Sequence, residues 1–206
     1  MQAFPAVLVA SLALYSPVLG EGPAEMTFFI TSAGSGDGAN LGGLEGADAI
    51  CNRLATAAGS SGRTWRAYLS ATGVNARDRI GSGPWVNVRG QLIAADIDTL
   101  HSYANRLAKH TSLTETGAKI KGRGDFPIEH HMLTGSNADG TLAAGKTCAD
   151  WTSNGDGMAM VGHSDRLGRD GVGTATSWNA AHPTEGCSQE ALRDGGKGLF
   201  MCFATD

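Results

Sequence analysis

Four side chains in the second half of the chain, His130, His131, His163 and Asp165, are of types that bind metals or transfer protons. Imidazole titrates near neutral pH and is a common metal ligand. Neighbouring residues of an extended segment point to opposite faces, so we expect at most one of His130 and His131 to face a shared site. The sequence contains no G-x-S-x-G and no H-E-x-x-H motif. We therefore expect hydrogen-bonded loop histidines and no catalytic residues.

A second kind of metal site is offered by short loops rich in Asn, Asp and Gly, whose oxygen atoms can bind calcium. Calcium takes six to eight oxygen ligands, often including backbone carbonyls. None of these loops has EF-hand spacing, and Asn-Gly or Asp-Gly pairs are also ordinary turns. We predict no cofactor, with structural calcium as the alternative. Its donors are then Asn154, Asp156, Asp165 and Asp170.

The start of the chain predicts export. Residues 6–19 form a mostly apolar stretch, shorter than the roughly 20 residues that a membrane-spanning helix needs. We interpret residues 1–20 as a signal peptide, residues 21–26 as a short N-terminal segment and residues 27–206 as one domain. A buried N-terminal helix is the alternative. After signal cleavage we expect no membrane insertion and a secreted or periplasmic location.

Composition narrows the class of protein further. Thirty glycines and 17% charged residues in 206 indicate a chain rich in loops. The net charge of −4 gives no attraction for nucleic acid or for an anionic membrane. Residues 140–147 match the phosphate-loop pattern, but no apolar strand precedes them and no helix follows, so we do not expect nucleotide binding. The four cysteines of an exported chain imply disulfides, and three pairings are open.

The periodicity of apolar residues predicts few regular elements. Leu44, Ala47, Cys51, Leu54 and Ala58 recur at spacings of three and four, which predicts a helix that ends at Gly59. A second, weaker helix is expected from 97 to 107. Strands are expected at 26–31, 64–70 and 197–204, and the segment from 122 to 179 is expected to be mostly loop.

These segments together resemble the C-type-lectin-like fold, most closely its endostatin-like branch, and exported bacterial lectin-like proteins. The resemblance covers roughly residues 28–203. It lies in ADAICNRLATAAG, TWRAYLS, DRIGSGPWVNVRGQLIA, LTGSNADGTLAAGKTCADWTS, SWNAAHPTEGCS and GLFMCFA, which follow in the family's order. It implies an α+β fold in which two helices flank an antiparallel sheet with a long irregular loop region. It also implies two nested disulfides, Cys51–Cys202 and Cys148–Cys187.

Two family binding sites are not expected here. Calcium-dependent sugar binding uses an Asn-Asp pair after a Trp, whereas Trp178-Asn179 is followed by Ala180. Endostatin's basic heparin-binding face and its N-terminal zinc histidines have no counterparts in this chain. Trp178 is expected either to stack on a sugar or to pack against the Cys148–Cys187 bridge.

The resemblance implies binding as the function. We expect a monomeric binding module, not an enzyme, whose ligand is a carbohydrate or an extracellular protein held by the loop region 122–183. The predicted ligand-binding residues are Trp178, Asn179, His182 and Glu185. Two alternatives are an exported enzyme with a histidine-containing, metal-assisted loop site, and a structural cell-surface or matrix component.

Overall fold

The computed structural model describes residues 25–168 and 176–206. The predicted signal peptide, residues 1–20, and the first residues of the segment after it lie outside the described residues. Few helices and a mostly antiparallel sheet make up the described part, so the α+β class is confirmed. In these two ranges, no helix is long and apolar enough to cross a lipid bilayer.

The regular elements are short, as expected for a chain rich in glycine. The described strands are β1 (Phe28–Ile30), β2 (Trp65–Ala67), β3 (Trp85–Val86), β4 (Leu92–Ala94), β5 (His131–Leu133), β6 (Met160–His163), β7 (His182–Pro183) and β8 (Leu199–Ala204). The described helices are α1 (Gly43–Ala57), α2 (Ile97–Leu100), the helical turn α3 (Cys148–Trp151) and a 3-10 turn (Ala76–Asp78).

Strand β8 is the centre of the main sheet. Strands β1 and β2 pair antiparallel with it, and β5 pairs parallel with its first residues. The sheet continues through β6 to β7, while β3 and β4 form a separate two-stranded sheet. All six residues of β8 are buried. Alternate residues of β8 enter two hydrophobic clusters on opposite faces, so this strand organises both halves of the core.

Helix α1 covers the first of these clusters, as its periodicity predicts. Ala47, Cys51 and Ala55 are fully buried against the sheet. The helix ends where expected, since Gly59 has a φ of 86°, a left-handed value that glycine adopts without a steric penalty.

Both disulfides have the pairing that the resemblance implies. Cys51 bonds to Cys202, which ties α1 to β8, and Cys148 bonds to Cys187. The two bridges are nested along the chain and leave no free cysteine. Disulfide bonding is thus confirmed and fits an oxidising compartment.

Two predicted elements differ from the structure. The second helix ends at Leu100 instead of 107, because the Asn105 side chain donates to the carbonyl oxygens of Leu100 and Ser102. The expected loop from 122 to 179 is interrupted by β5 and β6. Strands of three and four residues are too short to give a clear alternation pattern in the sequence.

Candidate histidine site and ligand cavity

Strand register brings three histidines onto one face of the sheet. His131 of β5 lies directly opposite His163 of β6, so both side chains point to the same face. His182 of β7 lies opposite Val161, two residues before His163 in β6, and therefore shares that face. The site is built by the sheet and not by a loop, contrary to the sequence expectation.

The ring nitrogens of these histidines converge. Nε2 of His182 lies 3.2 Å from Nε2 of His163 and 3.4 Å from Nε2 of His131. The His182 ring stands at 69° to the His163 ring and at 79° to the His131 ring. The Nε2 atom of His182 thus lies near a ring nitrogen of each of the other two histidines, whose own rings stack with centroids 4.9 Å apart.

A fourth histidine adjoins this group. The His130 ring stacks on the His163 ring with centroids 4.2 Å apart, and ligand atoms of His130, His131 and His163 lie within 4.8 Å of one another. The expectation that adjacent histidines cannot face a common site is wrong. Strand β5 begins at His131, so the alternation rule does not apply to His130.

Asp165 holds the fourth histidine in place. Its Oδ1 accepts hydrogen bonds from His130 Nδ1 at 2.8 Å and from the Leu167 amide at 2.9 Å. Its Oδ2 accepts from the Arg123 amide at 2.7 Å. Burial raises the pKa of Asp165, but these hydrogen bonds outweigh it and hold the pKa below its ordinary value. A carboxylate can only accept, so Nδ1 of His130 carries a proton.

The environment of His131 favours the neutral imidazole. Burial is the main cause that lowers the pKa of His131. The neighbouring imidazoles lower it further, to about 3, and they belong to His130, His163 and His182. A neutral imidazole has a lone pair for a metal or for a hydrogen bond.

We expect acid to destabilise the metal-free protein through His131. The unfolded chain binds the proton near pH 6.5 and the folded chain at about 3. The stabilisation is therefore complete above pH 6.5 and is lost as pH falls toward 3, by about 1.4 kcal/mol per pH unit. Urea unfolding with a chelator across this range measures the slope. This slope corresponds to the uptake of about one proton on unfolding. The His131→Asn variant should lack that contribution, and an unchanged slope would contradict the prediction.

The histidine face forms one wall of a large cavity with a volume of about 1100 Å³. Other walls come from the segment 123–128 and from the turns that precede β8. Its lining mixes charged and apolar side chains. The charged ones are Arg123, Glu185, Glu190, Arg193 and Asp194. The phenyl ring of Phe126 lies at the edge of the cavity, and this residue is 95% exposed.

The predicted ligand-binding residues divide between two cavities. His182 and Glu185 line the large cavity, whereas Trp178 and Asn179 line a second cavity of about 500 Å³. Asn179 is 1% exposed, and its amide donates to the Tyr68 hydroxyl and to two backbone carbonyls. Trp178 packs on Tyr68 with ring centroids 4.7 Å apart. It belongs to the hydrophobic cluster opposite the Cys148–Cys187 bridge, so packing against that bridge is not observed.

Two of the predicted calcium donors, Asp165 and Asn154, have separate partners. Asp165 uses both carboxylate oxygens in the hydrogen bonds around His130. Asn154 donates to Asp37, and Asp156 is exposed. Asp170 lies outside the described residues.

One residue that holds the histidines in place, Gly195, could not be identified from the sequence. The His131 amide donates to Gly195 O at 2.7 Å, and a Cβ at Gly195 would lie 2.3 Å from two His131 ring atoms. Gly195 also has a φ of 104°, so a larger residue would displace the ring and strain the backbone. With thirty glycines in the chain, no local signal singles this one out.

Comparison with known proteins does not assign the chain to a family. No protein-family model matches it, and a search of curated proteins finds no significant match.

Proposed function

We propose that this chain is an exported, monomeric carbohydrate-binding module of C-type-lectin-like fold, in the endostatin-like branch. The sugar binds in the large cavity and not at the calcium-dependent position of the family. The carrying observation is a cavity of about 1100 Å³ with an almost fully exposed phenyl ring, Phe126, at its edge. Binding pockets for small ligands usually have this order of volume.

The chemistry of the cavity suits a saccharide. Sugars present apolar C–H faces that pack on aromatic rings, and hydroxyl groups that hydrogen-bond to charged planar side chains. Phe126 offers such a ring, while the exposed Glu185 and Arg193 offer acceptors and donors at the same cavity. A concave site of this kind favours a glycan over the flat surface typical of a protein partner.

Removing the Phe126 ring is expected to weaken glycan binding without weakening the fold. Burial of a phenyl side chain contributes about 1.5–3 kcal/mol, so Phe126→Ala should lower affinity about 10- to 100-fold. A glycan array identifies the saccharide, and calorimetry then measures its affinity. Tyr103→Ala is the matched control, because Tyr103 is 93% exposed but lines the second cavity.

Three other results would each favour a different function. Equal losses from Phe126→Ala and Tyr103→Ala, or no saturable glycan, would reject the proposed site. Capture of one extracellular protein without any glycan would favour protein recognition. Turnover that stops in His163→Asn would favour the exported enzyme, and self-association without a ligand would favour a structural component.

A further inference from the structure

Four of the six histidines of this chain meet on the wall of the large cavity, which is more than the binding of a sugar requires. The other two are elsewhere: His101 bonds to the Tyr68 hydroxyl, and His110 is exposed. The four clustered histidines come from three neighbouring strands and from the residue before β5.

Two of the three nitrogen separations match those around a small tetrahedral metal. Zinc binds imidazole nitrogen at about 2.0–2.1 Å, so two nitrogens on one tetrahedral ion lie about 3.3–3.4 Å apart. The two separations at His182 Nε2 are 3.2 and 3.4 Å. Ligand atoms of His131 and His163 lie within 4.8 Å of each other, and their rings stack with centroids 4.9 Å apart, so these two rings must turn toward each other when the ion binds.

Two of the four imidazoles, those of His182 and His130, are held in orientation by a hydrogen bond at Nδ1. His182 Nδ1 lies 2.9 Å from the carbonyl oxygen of Pro183, which can only accept a hydrogen bond. Nδ1 of His182 therefore carries a proton, and its Nε2 faces His131 and His163. Asp165 does the same for His130. Backbone carbonyls and carboxylates typically support ligating histidines in this way.

We propose that His131, His163 and His182 bind one divalent transition metal ion of the zinc type through Nε2, with His130 held beside it by Asp165. Imidazole donors suit zinc, copper and nickel, whereas calcium requires oxygen ligands. The site faces the cavity, so a coordination position is open to solvent or to a ligand. Asp165 is then a positioning residue and not a calcium donor.

Zinc titration of the chelator-treated full chain tests the proposal directly. Calorimetry should give one zinc per chain, and zinc should raise the Tm. Calcium at the same concentration should do neither. His182→Gln should lower the zinc affinity by at least about 10-fold. His182 is only half-buried on the two-residue strand β7, so its replacement leaves the core intact. The matched control His110→Gln should bind zinc as the wild type does.

A second measurement separates coordination from simple stability. The visible absorption of bound Co²⁺ reports its coordination number, and it should change in His182→Gln but not in His110→Gln. Asp165→Asn should keep both the stoichiometry and the zinc affinity near the wild-type values, because Asp165 contacts His130 and none of the three proposed ligands. Uptake well below one ion per chain, or uptake unchanged in the His131→Gln/His182→Gln double variant, would overturn the site. All these titrations omit saccharide, so their outcome is independent of glycan binding.

Discussion

Removing the Cys51–Cys202 disulfide is expected to lower the free energy of unfolding by about 5 kcal/mol, based on the loop entropy of its closed chain. The bond joins residues 151 positions apart and links α1 to the central strand β8. A domain of this size has a total stability of about 5–15 kcal/mol. The double variant Cys51→Ala/Cys202→Ala should therefore lie close to the unfolding threshold.

The second disulfide provides the comparison for this prediction. Cys148–Cys187 closes a separation of 39 positions, for which the same relation gives about 4 kcal/mol. Urea unfolding of both alanine double variants measures the two losses under identical conditions. A larger loss from Cys148→Ala/Cys187→Ala would show that loop length does not govern the stability of this fold.

Replacing Asp48 by Asn is expected to cost about 3–5 kcal/mol, because a buried guanidinium then loses its counter-charge. The carboxylate of Asp48 on α1 lies 2.6 Å from Arg66 Nη1 and 2.7 Å from Arg79 Nη2. It also accepts a hydrogen bond from the amide of Ala67 in β2 at 2.8 Å. Burial lowers the pKa of Arg79, and the Asp48 carboxylate opposes that effect. Asp48→Asn keeps the size of the side chain and removes the charge that stabilises Arg79.

An exposed ion pair serves as the control for Asp48. Asp98 lies 3.5 Å from Arg77, and its side chain is 96% exposed. Solvent screens such a pair, so Asp98→Asn should leave the unfolding midpoint nearly unchanged. Thermal and urea unfolding of both variants measure the contrast. Comparable losses from the two substitutions would mean that the buried position of Asp48 contributes nothing.

Local sequence patterns predicted the elements whose cause is local. Helix α1 follows from apolar residues spaced three and four apart, and its end follows from Gly59. Alternation in residues 197–204 predicted the strand that became β8. The disulfide pairing came from the family resemblance, because four cysteines alone leave three pairings open.

The same patterns failed where a distant residue or a short strand decided the structure. The side chain of Asn105 ends α2 early, and periodicity does not register that competition. The sequence left open whether Trp178 stacks on a sugar or packs against the Cys148–Cys187 bridge, and the fold packs it on Tyr68.

The candidate site shows this division most clearly. Residue type alone identified His130, His131, His163 and Asp165 as groups able to bind metal or transfer protons, whereas His182 was predicted only as a ligand-binding residue. Their convergence depends on the pairing of β5, β6 and β7, which brings His131 within 3.4 Å of a residue 51 positions away.

The sequence by itself determined the main helix, the central strand and the side-chain types available for chemistry, while the α+β class was implied by the family resemblance. The first three depend on periodicity or composition, and both can be read over a few neighbouring residues. Only the tertiary structure decided that four histidines share one wall and that Asp165 orients one of them. Strand register is set by packing across the whole sheet, and a shift of one residue would turn these histidines to the opposite face.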